Sequence, residues 1–166
     1  MRESLAELNP WMPWCHQEYS IDEARTWLEA QVAAFAQRLA FEFAIVSAEG
    51  RYLGGCGLGQ IDAANRRANL GYWVRSSATR RGVATAAVGI LRKWAFEQTV
   101  LHRLEIVIAA GNAASRRVAE KAGAHREGTL RGRLLLHGTQ HDATIFSLVR
   151  PAPDASIPSP GGEWMA

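Results

Sequence analysis

Cysteine is scarce in this chain. Cys15 and Cys56 are the only two among 166 residues. That is too few for a disulfide framework or a thiolate metal cluster, and both are read as free thiols. No apolar run approaches the ~20 residues of a membrane span. The opening MRESLAELNP mixes charges of both signs and has no apolar stretch of the signal-peptide kind, so the cytoplasm is the default expectation. An excess of one charge is also missing: 19 Lys and Arg against 16 Asp and Glu leave +3. The surplus is arginine, at Arg66-Arg67, Arg80-Arg81, Arg116-Arg117 and Arg131/Arg133. Such clusters can serve nucleic acid, but solvated arginines around one local anion site are the simpler reading. His16, His102, His125, His137 and His141 lack metal-ligand spacing and are read as structural or surface groups. His141-Asp142 can orient a strand end or line a substrate mouth. No internal repeat is present.

What is present is an ordinary globular composition, 48% hydrophobic and 21% charged. It suits one domain with a sizeable core, assigned to residues 1–150. Residues 151–166 are rich in Pro, Ser and Gly and are expected to be a disordered tail. A partial helix ends near Pro10, before the aromatic Trp11-Met12-Pro13-Trp14. Ser20 and Glu23 form a capping box that predicts a helix from Asp22 to about Arg38, with Trp27, Leu28, Val32 and Phe35 as its apolar positions. Strands are predicted over Phe41–Val46, Tyr52–Ile61 and Leu70–Arg75, with a polar connection over 62–69. A helix over Ala84–Gln98 carries Val88, Leu91, Trp94 and Ala95 on one face. A strand over Arg103–Ala109 and a helix over Ala113–Ala122, ended by Gly123, come next. Strands over Leu130–Leu136 and Ala143–Val149 flank a turn at His137-Gly138. This order predicts a mixed α/β (α+β) sheet, not a doubly wound nucleotide fold, in which strand and helix alternate throughout.

The richest local signal is Arg80-Arg81-Gly82-Val83-Ala84-Thr85, between a strand and a helix start. A glycine there lets backbone N–H groups approach a ligand, and the unpaired N–H groups of the first helical turn favour an anion. The loop lacks the Gly-Lys-Ser/Thr ending of a P-loop and has one glycine where a dinucleotide fingerprint needs three. By itself it is either an anion cradle or a structural turn.

Its neighbours narrow the choice. Gly71-Tyr72-Trp73-Val74, the Arg80–Thr85 loop, Arg103-Leu104-Glu105, Asn112-Ala113-Ala114-Ser115 and Glu120-Lys121-Ala122-Gly123-Ala124 occur in series. Over roughly Trp11 to Arg150 the chain resembles the GNAT superfamily of acyl-CoA-dependent N-acetyltransferases, in the branch that acetylates N-terminal α-amines of ribosomal proteins (RimJ/RimL-like). The resemblance implies a mixed sheet splayed between two parallel strands, with acetyl-CoA as co-substrate and no metal. The pyrophosphate would lie on the amides of Arg81, Gly82, Val83, Ala84 and Thr85, with Arg80 and Arg81 adding charge. The pantetheine would lie along Trp73 and Val74, and a backbone N–H near Val74 would polarise the thioester. Asn112 and Ser115 are either a helix cap with its first turn or, by the resemblance, cofactor ligands, with Ser115 on the departing sulfur.

An α-amine of pKa about 8 costs roughly 1.4 kcal/mol to deprotonate at pH 7, and a lysine of about 10.4 roughly 4.6. Glu105 is the candidate helper, with an ion pair to Arg103 as the alternative. Some relatives carry a glutamate where this chain has Leu134, at the acceptor side. Trp11, Trp14 and Tyr19 are either core residues or the acceptor wall. Family members begin with a strand that is missing here. The edge of the Phe41–Val46 strand is therefore expected to be unpaired, unless the start lies upstream or a second copy covers it as a homodimer. The expected function is direct acetyl transfer to a protein or peptide N-terminus. The alternatives are transfer to a small amine and a CoA-binding domain without catalysis.

Overall fold

Phe41, Phe43 and Ile45 alternate with Glu42 and Ala44 along β1 (Phe41–Val46), and a period of two puts each set on its own face. The computed structural model, which describes residues 2–152, carries that division across a six-stranded sheet. The expectation of a disordered tail falls mainly outside the described residues. The strands β2 (Tyr52–Asp62), β3 (Arg67–Val74), β4 (Arg103–Ala109), β5 (His125–Leu136) and β6 (Thr139–Val149) complete the order β1-β2-β3-β4-β6-β5. Four neighbouring pairs are antiparallel, and β3 with β4 is parallel.

A short helix, α1 (Leu5–Leu8), comes first, and two later helices cover one face of the sheet. Helix α3 (Val83–Gln98) and helix α4 (Ala113–Lys121) bury Val88, Leu91, Ala95 and Ala119 against Leu58, Leu70, Leu104, Ile106, Phe146 and Leu148. Burying such aliphatic side chains contributes about 1.5–3 kcal/mol each. The other face is floored by glycine. The pairs Gly55↔Trp73, Gly57↔Gly71 and Gly59↔Asn69 lie on it, alternating with the core pairs Cys56↔Tyr72 and Leu58↔Leu70.

The parallel pair stops early. Only Arg67, Ala68 and Asn69 pair with Arg103, Leu104 and Glu105. Beyond them β3 stays bonded to β2 as far as Val74, and β4 to β6 as far as Ala109. The sheet therefore opens as a V between Leu70–Val74 and Ile106–Ala109, as expected. Strand β1 is an outer strand with one edge unpaired among the described residues, also as expected.

Three expectations need correction. Helix α2 (Ile21–Ala36) contains no buried residue. Leu28 and Val32, read as apolar packing positions, are 58% and 73% exposed. The helix lies beside the outer strand, and of its aromatics Phe35 packs against the sheet, 5.1 Å from Phe41 and 6.0 Å from Phe43 between ring centres. The polar connection is shorter than 62–69, because Arg67 to Asn69 already pair with both neighbours. Arg67 is held there by Asp62 at 3.1 Å and by Glu105 at 3.3 Å. Strand β5 starts at His125 rather than Leu130. Backbone pairing to β6 holds this charged stretch, and no hydrophobic period announces it.

The capping box at the start of α2 is complete. Ser20 Oγ accepts from the Glu23 N–H at 3.1 Å, and Glu23 Oε1 accepts from the Ser20 N–H at 3.0 Å. With so little burial to hold the helix, the cap matters locally. Ser20→Ala is expected to weaken the first turn by about 1 kcal/mol. Hydrogen exchange at Glu23 and Ala24 should accelerate roughly fivefold, while core amides in β4 stay unchanged.

Candidate functional site

Gly82 occupies the N-cap of α3 with φ of 77°, a conformation that costs glycine little. Arg80 also has positive φ, 60°. The cap offers no side-chain bond. Ala86 N–H is the first of the turn to find a carbonyl, that of Gly82 at 2.9 Å. The N–H groups ahead of it are left for a ligand, which is the electrostatic pattern of an anion site. The preceding loop is pinned from the chain's start. Glu3 takes both arms of Arg75, one at 2.8 Å, and the Ser77 hydroxyl at 2.7 Å. Ser4 Oγ, fully buried, accepts from the Ser76 N–H at 2.8 Å. Arg75 and then Ser77 pull the Glu3 carboxyl down to about 2.

The V leads away from this cradle. Arg75 N–H donates to the Leu53 carbonyl on β2 at 2.8 Å. Because direction alternates along a strand, Tyr72 and Val74 turn their N–H groups into the V.

Inside the V, on the helix side, the Tyr72 hydroxyl lies 2.9 Å from Ser115 Oγ and donates to the Ser115 carbonyl at 3.0 Å. A phenol has one hydrogen, so with Tyr72 bonded to the carbonyl, the Ser115 hydroxyl donates to Tyr72 Oη. Burial pushes the Tyr72 phenol up to about 12, so it keeps its proton. Asn112 caps α4, its Oδ1 accepting from the Ser115 N–H at 3.0 Å. The cap thus orients the serine toward Tyr72. Residue spacing alone does not single out Tyr72. Its signal was present in the Gly-Tyr-Trp-Val stretch, but its partner is 43 residues away.

The glycine side of the V is roofed by aromatics. Trp73 packs 5.8 Å from both Trp14 and Tyr52, and Trp14 lies 5.8 Å from Tyr19. A methyl at Gly55 would come within 2.9 Å of Trp73 Nε1, and one at Gly111 within 3.3 Å of Trp11. Trp14 therefore leans on the β3 arm and Trp11 on the end of the β4 arm. Asn9 stitches this N-terminal segment. Its side chain donates to the Cys15 carbonyl at 2.6 Å, and its own carbonyl meets His137 Nε2, at the hairpin turn, at 2.6 Å. Leu134 lies on that hairpin opposite His141, after a bulge that contains Arg131, Gly132 and Arg133.

Glu105 sits at the closed end of the V, opposite Asn69. Both its oxygens are engaged: Arg103 Nε donates at 2.9 Å and Arg67 Nη1 at 3.3 Å. Arg103 also binds Glu127, one arm at 2.7 Å, and Ser147 Oγ donates to Glu127 at 2.7 Å. Arg103 and then Ser147 hold the Glu127 carboxyl down at about 2. A carboxyl whose folded pKa is depressed stabilises the fold above its unfolded value and loses that contribution as pH falls through the folded one. Wild type is thus expected to exceed Glu127→Gln in urea midpoint at pH 7, with the difference shrinking below pH 4.5 and vanishing near pH 2.

The profile described as an Acetyltransferase (GNAT) domain matches residues 3–125. The chain belongs to the GNAT acetyltransferases. This GNAT protein is 37% identical over 102 residues to the Bacillus subtilis (strain 168) protein named "Putative ribosomal N-acetyltransferase YdaF", covering 61% of this chain and 56% of YdaF. A solved structure named a probable acetyltransferase superposes with a TM-score of 0.82 at 31% identity, over 89% of this chain and 82% of the other. Mycobacterium smegmatis RimJ, solved in complex with CoA-disulfide, gives 0.79 at 27% identity, over 88% and 72%.

Proposed function

We propose that this GNAT protein transfers an acetyl group from acetyl-CoA directly to an amine, the N-terminal α-amine of a protein. The observation that carries the reading is the V itself: an open backbone slot with a free-amide cradle beyond β3 and a hydroxyl pair inside. Acetyl-CoA has the matching parts in the same order, a pyrophosphate, a chain with two amides and a thioester. The amides of Arg81 to Thr85 hold the pyrophosphate, Arg80 and Arg81 add positive charge, and the Thr85 hydroxyl adds a donor. The pantetheine arm pairs along Trp73 and Val74 as an added strand would. The Val74 N–H polarises the thioester carbonyl. Asn112 positions Ser115, and Ser115 with Tyr72 faces the sulfur.

The amine nitrogen attacks the carbonyl carbon and the C–S bond breaks; the Ser115 hydroxyl turns from Tyr72 to the thiolate and donates its proton, which is replaced by the one the nitrogen sheds on forming the amide. One further proton from the ammonium goes to solvent. No acyl-enzyme is needed. Burial pushes the Cys56 thiol up to about 11 and raises Cys15 also, so neither is an activated nucleophile. Glu105, taken up by two guanidinium groups, has a positioning role at the closed end of the V. A protein N-terminus suits the aromatic roof of Trp11, Trp14 and Tyr19 and the hairpin carrying Leu134. The ribosomal-protein names among relatives support the same acceptor class. Mass spectrometry of serine- and alanine-initiated peptides incubated with acetyl-CoA is expected to show one added acetyl at the N-terminus. Micromolar CoA binding with no acetylation across an amine panel would overturn the proposal.

A further inference from the structure

Helix α2 buries none of its residues, yet its last turn lines a cleft. The cleft holds about 500 Å³ and lies between the end of α2, the start of β1 and the C-terminal end of α3. Its wall is aromatic. Phe41 stands edge-on to Phe35 and to Trp94, each at 5.1 Å between ring centres. Phe35 and Val100, both on the lining, are 42% and 65% exposed. A concave apolar surface of this size is what a ligand or a side chain from elsewhere fills. Its charge is of one sign. Exposed Arg38 and Arg66 line it and no acidic residue does. Neither arginine has an ion pair among the described residues.

The described residues end beside this cleft. Arg150 follows β6, and its guanidinium donates to the Thr99 carbonyl at 2.7 Å and to the Leu101 carbonyl at 2.8 Å. Both of those residues line the cleft. The sequence continues through residues 153–166, where a Pro-, Ser- and Gly-rich run is followed by Gly161-Gly162-Glu163-Trp164-Met165. Asp154 and Glu163 are the charged side chains of this segment, so it is acidic where the cleft is basic. Trp164 lies twelve positions past Ala152. That is an average reach of about 20 Å for a flexible chain and at most about 40 Å when extended. A tether of this length gives an effective concentration on the order of millimolar. A contact too weak to hold two separate molecules together is then occupied within one.

We propose that residues 153–166 fold back along the end of α3 and seat Trp164 in the cleft, with Asp154 and Glu163 facing Arg38 and Arg66. The indole joins an aromatic cluster already in place, where edge and offset contacts add to burial. Gly161-Gly162 supplies the bend that a proline run does not. The filled cleft ties α2, which has no burial of its own, to α3 and β1. A segment from a second copy offers the same chemistry without the tether, so the occupant belongs to the same chain. The strap is remote from the anion cradle. The 16 residues of α3 separate the cleft from Gly82, about 24 Å at 1.5 Å per residue. Docking and CoA binding are therefore independent.

The test uses the full chain with the photoreactive residue p-benzoylphenylalanine at position 164. Irradiation is expected to join it to residues 35–41 or 94–101 of the same chain, read by peptide mass spectrometry on a product that runs as a monomer. Absence of that intramolecular product overturns the proposal, including when a second copy is joined instead. Hydrogen exchange supplies a second measurement. Trp164→Ala should accelerate exchange about fivefold at the amides of Leu39, Ala40 and Leu101, and leave the core amides of β4 unchanged. Asp154→Lys with Glu163→Lys should accelerate it about threefold. Arg38→Glu with Arg66→Glu, added to that same chain, should recover the protection. CoA affinity by calorimetry should be unchanged in every variant. Equal exchange in wild type and Trp164→Ala at all three amides overturns the proposal.

Discussion

Gly82→Asp is expected to weaken CoA binding about a hundredfold, roughly 2.7 kcal/mol, while moving the melting temperature by only a few degrees. Aspartate tolerates positive φ better than most residues and is a favoured N-cap, and nothing within 4 Å of Gly82 would meet its Cβ. Helix α3 keeps its start. The new carboxylate, however, stands where the pyrophosphate belongs, competes for the same N–H groups and brings negative charge to an anion site. Calorimetry with CoA against thermal melting separates the two effects. Gly82→Ala is the control: it adds some backbone strain but no charge, and should weaken CoA far less. Equal affinity of Gly82→Asp and wild type would place the CoA pyrophosphate elsewhere.

Tyr72→Phe and Ser115→Ala are each expected to lower kcat about a hundredfold, with the KM for acetyl-CoA nearly unchanged. They share one proton path to the sulfur, so the double variant should be little worse than either single one. The buried phenol keeps its proton up to about 12, so Tyr72 should hold its place against Ser115 across the working pH range. The leaving thiol has a pKa of roughly 8.5, so its departure responds to how well its charge is stabilised. An activated thioester with a better leaving thiol should therefore recover part of the rate in both variants. Two losses that multiply in the double variant would show that the hydroxyls act separately. A Ser115→Ala variant with wild-type turnover would remove it from the sulfur.

Much of the framework was legible because it is written locally. The turn at Gly82, the apolar period of α3, the alternation along β4, the Asn112 cap and the Ser20–Glu23 box all follow from residues within a few positions of one another. Helix α2 shows the limit. Its apolar residues were read correctly as apolar, but whether they pack depends on what lies beside the outer strand. Strand β5 shows another: its residues 125–129 have no strand period, and β6 holds them by backbone pairing. Glu105 reads from the sequence as a strand carboxylate beside the channel, with an ion pair to Arg103 as the alternative. The fold brings Arg67 to it from the other arm of the V, and a second guanidinium makes it a brace.

The sequence by itself determined the family, the mixed sheet and the glycine turn that starts α3, because each depends on a glycine, a cap or a period confined to one segment. The tertiary structure decided which side chains meet across the V. Tyr72 reaches Ser115 only because β3 and β4 part after three pairs and α4 follows from the end of β4. Register and splay depend on pairings between distant segments, and no local pattern of residues encodes the distance between them.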